Sequence, residues 1–180
     1  MAQRLFFALL PDTAACRALA TVAAATAQAT GGRAPPVENL HVTVAFLGQV
    51  ADERTATVLA IGARAAASAT SFALELDRAG MFRDAGTAWL GPRVVPQALQ
   101  DLFEALRTAL ATEGFRTERR AFHPHVTLAR RALRPPAESS VTPIGWRVDA
   151  LTLMTSKTLP EGARYAAMAS WPLGLQSTSR

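Results

Sequence analysis

Two of the three histidines in the chain begin the same four-residue pattern. His41 opens His-Val-Thr-Val, and His125 opens His-Val-Thr-Leu. Side chains alternate between the two faces of a β-strand, so each pattern would present an imidazole beside a hydroxyl, that of Thr43 or Thr127. Imidazole titrates near neutral pH, so one ring could accept a proton while the other donates one. With the hydroxyls as hydrogen-bond donors to phosphate oxygens, the pattern predicts metal-free phosphodiester chemistry.

The third histidine, His123, lies two residues before His125 and would share its strand face. No threonine follows it at the motif spacing, and Pro124 favours an extended conformation for it at the start of the strand. We therefore expect His123 to lie too far from the reacting bond for proton transfer, yet close enough to touch the substrate beyond it.

Two other hypotheses remain open. His41, His123 and His125 could bind a zinc ion and make the protein a metallohydrolase, although no Asp or Glu stands beside either motif to support the ligands. The chain could also be a non-catalytic RNA-binding module, which would leave the repeated pattern unexplained. Measuring bound metal tests the first hypothesis, and turnover of a cyclic nucleotide tests the second.

The composition is that of a folded globular domain. The chain has 180 residues, of which 49% are hydrophobic and 18% charged. The formal net charge is +5, and all basic residues except Lys157 are arginine, whose planar fork matches phosphate. An arginine-rich composition also arises from a GC-rich genome, so the charge favours a phosphate-bearing partner without requiring one.

The cysteine content and the apolar runs bear on localisation. Cys16 is the only cysteine, so it forms no internal disulfide. The apolar run at residues 5–10 is shorter than the core of a signal peptide, and no run reaches the length of a membrane span. We expect a cytoplasmic protein.

Hydrophobic periodicity predicts an α+β chain in which each motif follows a helix. Strands are expected at 4–10, 40–47, 72–76, 87–90, 122–130, 147–155 and 164–170. Helices are expected from the N-caps Asp12 and Asp52 and from Pro96, the first ending at Gly31 and the last before Gly114. The motifs are 84 residues apart, nearly half the chain, which suggests two similar lobes within one domain of residues 1–175, followed by a disordered tail at 176–180.

The chain resembles a known family over nearly its full length. The segments that carry the resemblance are RLFFALLPD, ENLHVTVAFLG, AWLGP and FHPHVTLAR. Two His-x-Thr/Ser-x motifs define the 2H phosphoesterases, and these segments are similar to those of the bacterial RNA 2′,3′-cyclic phosphodiesterases, also called 2′-5′ RNA ligases.

This resemblance implies a bilobal α+β fold, with a small antiparallel sheet and helices in each pseudo-symmetric lobe and the active site in the cleft between them. It implies hydrolysis of RNA 2′,3′-cyclic phosphate ends to 2′-phosphates, with His41 as proton donor and His125 as proton acceptor. Thr43, Thr127 and Arg130 would contact the phosphate.

The same resemblance implies no metal and no cofactor. The partner would be an RNA with a cyclic phosphate end, tRNA fragments included, and some relatives join such ends through a 2′-5′ linkage. We expect a monomer. Strict strand alternation, however, places Arg130 and Phe46 on the faces opposite their motif histidines.

Overall fold

The computed structural model describes residues 2–118, 120–137, 142–159 and 162–174, so the predicted tail at 176–180 lies outside the described residues. Its helices are α1 (Thr13–Thr30), α2 (Thr55–Ser68) and α3 (Gln97–Thr112). Its strands are β1 (Ala2–Leu9), β2 (Val42–Ala51), β3 (Phe72–Leu76), β4 (Arg78–Phe82), β5 (Thr87–Gly91), β6 (Val126–Ala129), β7 (Ile144–Val148), β8 (Ala150–Leu159) and β9 (Gly162–Pro172). The α+β class is confirmed.

Seven strands form one antiparallel sheet in the order β4-β5-β6-β2-β1-β8-β9, while β3 pairs with β7 in a separate two-stranded sheet. The interior strand β1 is buried along Leu5–Leu9, as its unbroken apolar run requires. The segments β4-β5-β6 and β2-β1-β8-β9 meet at a single residue pair, Val42 with Val126. The two halves that carry the motifs are thus joined edge to edge within one sheet.

The helices fall close to their predicted positions. Asp12 caps α1 by accepting a hydrogen bond from the Ala15 amide at 2.8 Å, and Gly31 ends it in the left-handed region at φ 72°. Asp52 instead begins a 3₁₀ turn, Asp52–Arg54, and α2 starts three residues later without a side-chain cap. None of the helices in the described residues is long and apolar enough to cross a membrane.

Two strand predictions need correction. β4 was not predicted, because Arg78–Phe82 contains Arg, Ala and Gly and shows no clear alternation. The strand expected at 147–155 is two strands, since Asp149 separates β7 from β8 and the two belong to different sheets.

The helices pack on the sheet through their buried apolar sides. α1 lies against β6 and β7, whereas α2 lies against β8, β9 and α3. The buried side of α3 consists of five residues at helical spacing: Leu99, Leu102, Phe103, Leu106 and Leu110. The helix that precedes the first motif therefore supports the strand of the second motif, which ties the two halves together.

Candidate active site

The junction between β2 and β6 brings the two motifs together. His41 and His125 each stand directly before their strands, and Val42 pairs with Val126 in antiparallel register. In that register His41 lies across from Thr127 and Thr43 lies across from His125. All four side chains line one cleft of about 720 Å³. The structure thus places the two motifs in a single site.

Both imidazoles are oriented in the same way. The Nδ1 atom of His41 lies 2.6 Å from the Asn39 carbonyl oxygen, and that of His125 lies 2.7 Å from the His123 carbonyl oxygen. A carbonyl only accepts, so each Nδ1 carries the proton and donates it. In the neutral ring, Nε2 is then the free basic nitrogen, which leaves each Nε2 available for proton transfer.

The Asn39 carbonyl that orients His41 is itself well fixed. Asn39 ends a 3₁₀ turn, Val37–Asn39, and is buried. Its side-chain amide donates to the Ala163 carbonyl of β9 at 2.7 Å. This contact links Asn39, two residues before His41, to the edge strand β9 and holds the turn in place.

Aromatic rings pack against both histidines. His41 packs against both Phe6 and Tyr165, with ring centroids 5.0 Å and 5.3 Å away, and these two rings also contact each other. His125 contacts the Phe82 ring edge-on at 4.9 Å. The motifs differ in one polar contact, because Nε2 of His41 lies 3.0 Å from the Thr43 hydroxyl.

Burial lowers the pKa of both histidines. For His41 the desolvation of the ring is the largest cause, opposed by the hydrogen bond to Asn39, while Arg130 and His125 lower the pKa further. For His125 desolvation again dominates the lowered pKa, opposed by the bond to the His123 carbonyl, with His123 and Arg130 adding to the decrease. Without an anion in the cleft, both rings therefore favour the neutral form.

Arg130 lies in the cleft despite the alternation argument. Successive residues of β5 pair with Thr127 and Ala129, so Leu128 is an extra residue in β6. Such a β-bulge reverses the alternation of faces beyond it, and Leu128 and Ala129 are accordingly both buried. Arg130 then returns to the face of His125 and lines the same cleft.

Phe46 follows the same rule on β2. Successive residues of β1 pair with Thr43 and Ala45, so Val44 is the extra residue. Phe46 therefore lies on the motif face, where it is 47% exposed and the Arg4 guanidinium stands 5.1 Å from its ring centroid. Each bulge occurs three residues after its motif histidine, so Phe46 and Arg130 occupy equivalent positions in the two halves.

A second cleft of about 750 Å³ adjoins the first, and Thr43, Phe82 and His125 line both. His123 lines only the second cleft. Its ring packs edge-on against Trp89 at 4.5 Å, and its centroid is 6.0 Å from that of His125. Its backbone carbonyl, rather than its ring, orients His125.

Several residues around the motifs were missed by the sequence analysis. Five of them line the cleft, Arg33, Glu38, Phe82, Arg164 and Tyr165, and a sixth, Phe6, packs against His41. Most of them lie far from both motifs in sequence, although Glu38 is three residues before His41. Glu38 shows that a carboxylate does reach the cleft. Arg131 lines the cleft as well, whereas Arg134 turns away and donates to the Ala29 carbonyl at 2.6 Å. No linear pattern could have separated these two arginines.

The described residues contain no group of three His, Cys, Asp or Glu side chains placed to hold one metal ion. His41 and His125 each retain only Nε2 as a ligand atom, because each Nδ1 is bonded to a carbonyl. The arrangement of donors in the described chain fits proton transfer better than metal binding.

Comparison with known proteins identifies the family. The sequence profile of the 2′-5′ RNA ligase superfamily matches residues 11–158. An RNA 2′,3′-cyclic phosphodiesterase of Escherichia coli (strain K12) is 34% identical over 147 residues, which cover 79% of this chain and 80% of that protein. A crystal structure of a phosphoesterase matches with a TM-score of 0.87 at 32% identity, covering 97% of this chain and 99% of that one.

Escherichia coli LigT complexed with 3′-AMP matches with a TM-score of 0.84 at 31% identity, covering 96% of this chain and 99% of that chain. The similarity thus extends over the whole sheet and both motif strands. Because the profile covers most of the chain and the Escherichia coli relative is similar over most of both sequences, this protein belongs to the 2′-5′ RNA ligase superfamily.

Proposed function

We propose that the protein hydrolyses RNA 2′,3′-cyclic phosphate ends to 2′-phosphates without a metal ion. The observation that supports this most is the convergence of two imidazole Nε2 atoms and two threonines on one cleft, each ring fixed by a carbonyl. The curated relatives are named for this activity. The resulting enzyme is an RNA 2′,3′-cyclic phosphodiesterase.

In the proposed reaction a water molecule attacks the cyclic phosphorus. His125 accepts a proton from the water as the new P–O bond forms, and the bond from phosphorus to the ribose 3′ oxygen breaks. His41 donates its proton to that oxygen, leaving a 2′-phosphate and a 3′-hydroxyl. Thr43, Thr127 and Arg130 contact the non-bridging oxygens, where negative charge develops.

The assignment of donor and acceptor rests on the family resemblance, and one contact is relevant to it. The Thr43 hydroxyl can accept a hydrogen bond from protonated Nε2 of His41 at 3.0 Å, which helps to hold that proton in the site. The same chemistry run with a 5′-hydroxyl in place of water would join two RNA ends through a 2′-5′ linkage, and its reverse would cleave that linkage. tRNA fragments are proposed substrates, and the protein is proposed to act as a monomer in the cytoplasm.

The decisive experiment is an incubation of the purified protein with adenosine 2′,3′-cyclic phosphate and with an RNA carrying that end. The product isomer is identified by phosphorus NMR, and we expect the 2′-phosphate. The His41→Ala and His125→Ala variants serve as controls for contaminating nucleases. Formation of the 3′-phosphate, or turnover unaffected by either substitution, would contradict the proposal.

Metal independence is tested in the same assay. We expect dialysis against EDTA to leave the rate unchanged, because the two histidines already supply acid and base. Loss of activity that zinc restores would favour the metallohydrolase hypothesis. Tight RNA binding without any turnover would instead favour a non-catalytic binding module.

A further inference from the structure

The motif residues account for the reacting phosphate, but the same cleft carries three more arginines. We propose that Arg33, Arg131 and Arg164, here called the arginine rim, bind a second phosphate group of the RNA, beyond the one that reacts. This inference rests on the proposed function and deepens it, because it makes the substrate an oligonucleotide rather than a lone cyclic nucleotide. All three residues line the motif cleft.

Arg33 is held directly beside Arg130. The two form an isolated antiparallel bridge, in which the Arg33 amide donates to the Arg130 carbonyl at 2.8 Å and the Arg130 amide donates to the Arg33 carbonyl at 2.9 Å. Side chains directly opposite each other in such a pair lie on the same face, and like charges there are unfavourable. A second anion bound by Arg33, beside the reacting phosphate that Arg130 contacts, would offset that cost.

Gly32 makes this bridge possible. A Cβ atom at Gly32 would lie 2.8 Å from the Arg130 carbonyl oxygen and 3.2 Å from the Ala132 Cα. Any side chain at this position would therefore push the two backbone segments apart. The close approach that aligns the two arginines thus depends on Gly32, two residues after the end of α1.

Arg131 has an uncommon backbone conformation. Its φ of 55° is the only positive value at a non-glycine residue among the described residues. Successive residues of an extended chain point to opposite faces, and the left-handed conformation lets both Arg130 and Arg131 line the same cleft. Backbone strain of this kind persists where the surroundings enforce it, and it concentrates at functional sites.

Arg164 approaches from the other half of the sheet, on β9, next to Tyr165, which packs on His41. Glu38 is the only carboxylate among the described lining residues of this cleft. No ion pair within the described chain neutralises the three rim arginines, and all three are exposed. The cleft is therefore strongly positive beyond the charge that a single phosphate needs, and arginine forks match phosphate oxygens.

The second phosphate could come from either side of the reacting one. It could be the phosphodiester upstream of the cyclic end, or a phosphodiester of a second RNA joined at a 2′-5′ linkage. Both sources present the same phosphodiester anion, so the arginine rim could bind either one. The experiment below distinguishes the upstream phosphodiester from that of the second RNA.

The upstream source is tested by comparing kcat/KM for adenosine 2′,3′-cyclic phosphate with that for the ApA dinucleotide ending in the same cyclic group. The downstream source is tested by comparing cleavage of a 2′-5′-linked ApA with that of the same junction followed by one ordinarily linked nucleotide. The variants are Arg33→Ala, Arg131→Ala and Arg164→Ala, each beside its lysine counterpart. Arg134→Ala is the matched control, because it removes the same charge from the same segment outside the cleft.

We expect the wild type to prefer the substrate with the extra phosphate by about tenfold or more in one of the two pairs. The rim alanine variants should lose that preference, while their kcat/KM on the shorter substrate stays within about twofold, since exposed charges away from the reacting bond are largely screened. Lysine variants should keep part of the preference, and Arg134→Ala should keep all of it.

Absence of a preference in both pairs, or equal losses on long and short substrates, would overturn the inference. A wild type that hydrolyses the cyclic nucleotide without any preference refutes the arginine rim but not the proposed function. If the wild type hydrolyses neither substrate, the binding affinities of the 2′-phosphorylated dinucleotide and of the 2′-phosphorylated nucleoside still test whether the arginine rim binds a second phosphate. Equal affinities, or a difference that persists in the rim variants, would contradict the inference.

Discussion

The two motifs have nearly the same sequence but different surroundings. His41 packs against both Phe6 and Tyr165 and contacts the Thr43 hydroxyl through Nε2. His125 stands at the border of two clefts and has a second histidine beside it. The position five residues after the histidine is an aromatic ring in the first half and an arginine in the second.

This difference shows that two motifs with nearly the same sequence can have unequal chemical surroundings. The symmetric elements are the carbonyl that orients each ring and the bulge three residues after each histidine. The asymmetric elements include rings from other strands, with Phe6 and Tyr165 packed against His41 and Phe82 against His125. The two histidines therefore begin as chemical equivalents and are distinguished by their neighbours.

The largest expected effect comes from removing either histidine. His41→Ala and His125→Ala should each lower turnover by about 10²- to 10⁴-fold, because each loses one partner of a general acid–base pair. Turnover on a cyclic-phosphate RNA is the measurement, with circular dichroism as the folding control. If either variant folds and retains near-wild-type turnover, one motif is sufficient for catalysis. The difference between the surroundings of the two motifs would then have no catalytic role.

The pH dependence should be bell-shaped, since one ring must be protonated and the other neutral. Burial lowers the pKa of His41 and of His125, so the upper limb of kcat/KM should lie below the ordinary imidazole value of about 6.5. Above that limb the donor loses its proton and kcat/KM should fall about tenfold per pH unit. These limbs belong to the pair and not to either ring alone.

Bound substrate should shift the upper limb of the pH profile to higher pH. A phosphate anion between the rings favours their protonated forms, so the upper limb of kcat should lie at higher pH than that of kcat/KM. Both profiles are measured with the cyclic nucleotide from pH 5 to 9. A flat rate over this range would exclude paired histidines from the rate-limiting step.

Removal of the threonine hydroxyls should have a smaller effect and should separate the two motifs. Thr43→Ala and Thr127→Ala should each lower kcat by roughly 2- to 12-fold, the equivalent of one neutral hydrogen bond of about 0.5–1.5 kcal/mol. Only Thr43→Ala is expected to shift the pH profile as well, because only the Thr43 hydroxyl contacts a motif Nε2 in the described structure. Identical profiles for the two variants would show that this contact is lost when substrate binds.

The smallest effect is expected for His123→Ala. The backbone carbonyl of His123 orients His125, and the substitution preserves that carbonyl. The ring packs against Trp89 in the adjoining cleft, so its loss should raise KM for RNA. The change in kcat should be at most about tenfold, which is the effect of losing one hydrogen bond. Steady-state kinetics on RNA decide this, and an inactive His123→Ala beside an active His125→Ala would show that the repeated tetrapeptide is not the active site.

The sequence by itself determined the class of the fold, the three helices and the four motif side chains. These follow from local rules, because helical periodicity, capping residues and strand alternation act over a few neighbouring residues. The two His-x-Thr patterns contain the spacing that puts an imidazole and a hydroxyl on one face. The family resemblance of four short segments supplied the reaction.

Only the tertiary structure decided which other residues join the site. Arg130 and Phe46 face the motifs because of bulges that depend on the pairing of β6 with β5 and of β2 with β1. Arg33, Arg164 and Tyr165 reach the cleft from segments far away in sequence. Strand register, bulges and the bridge between Arg33 and Arg130 are long-range properties, set by which backbones pair, and alternation along one strand contains no information about the partner strand.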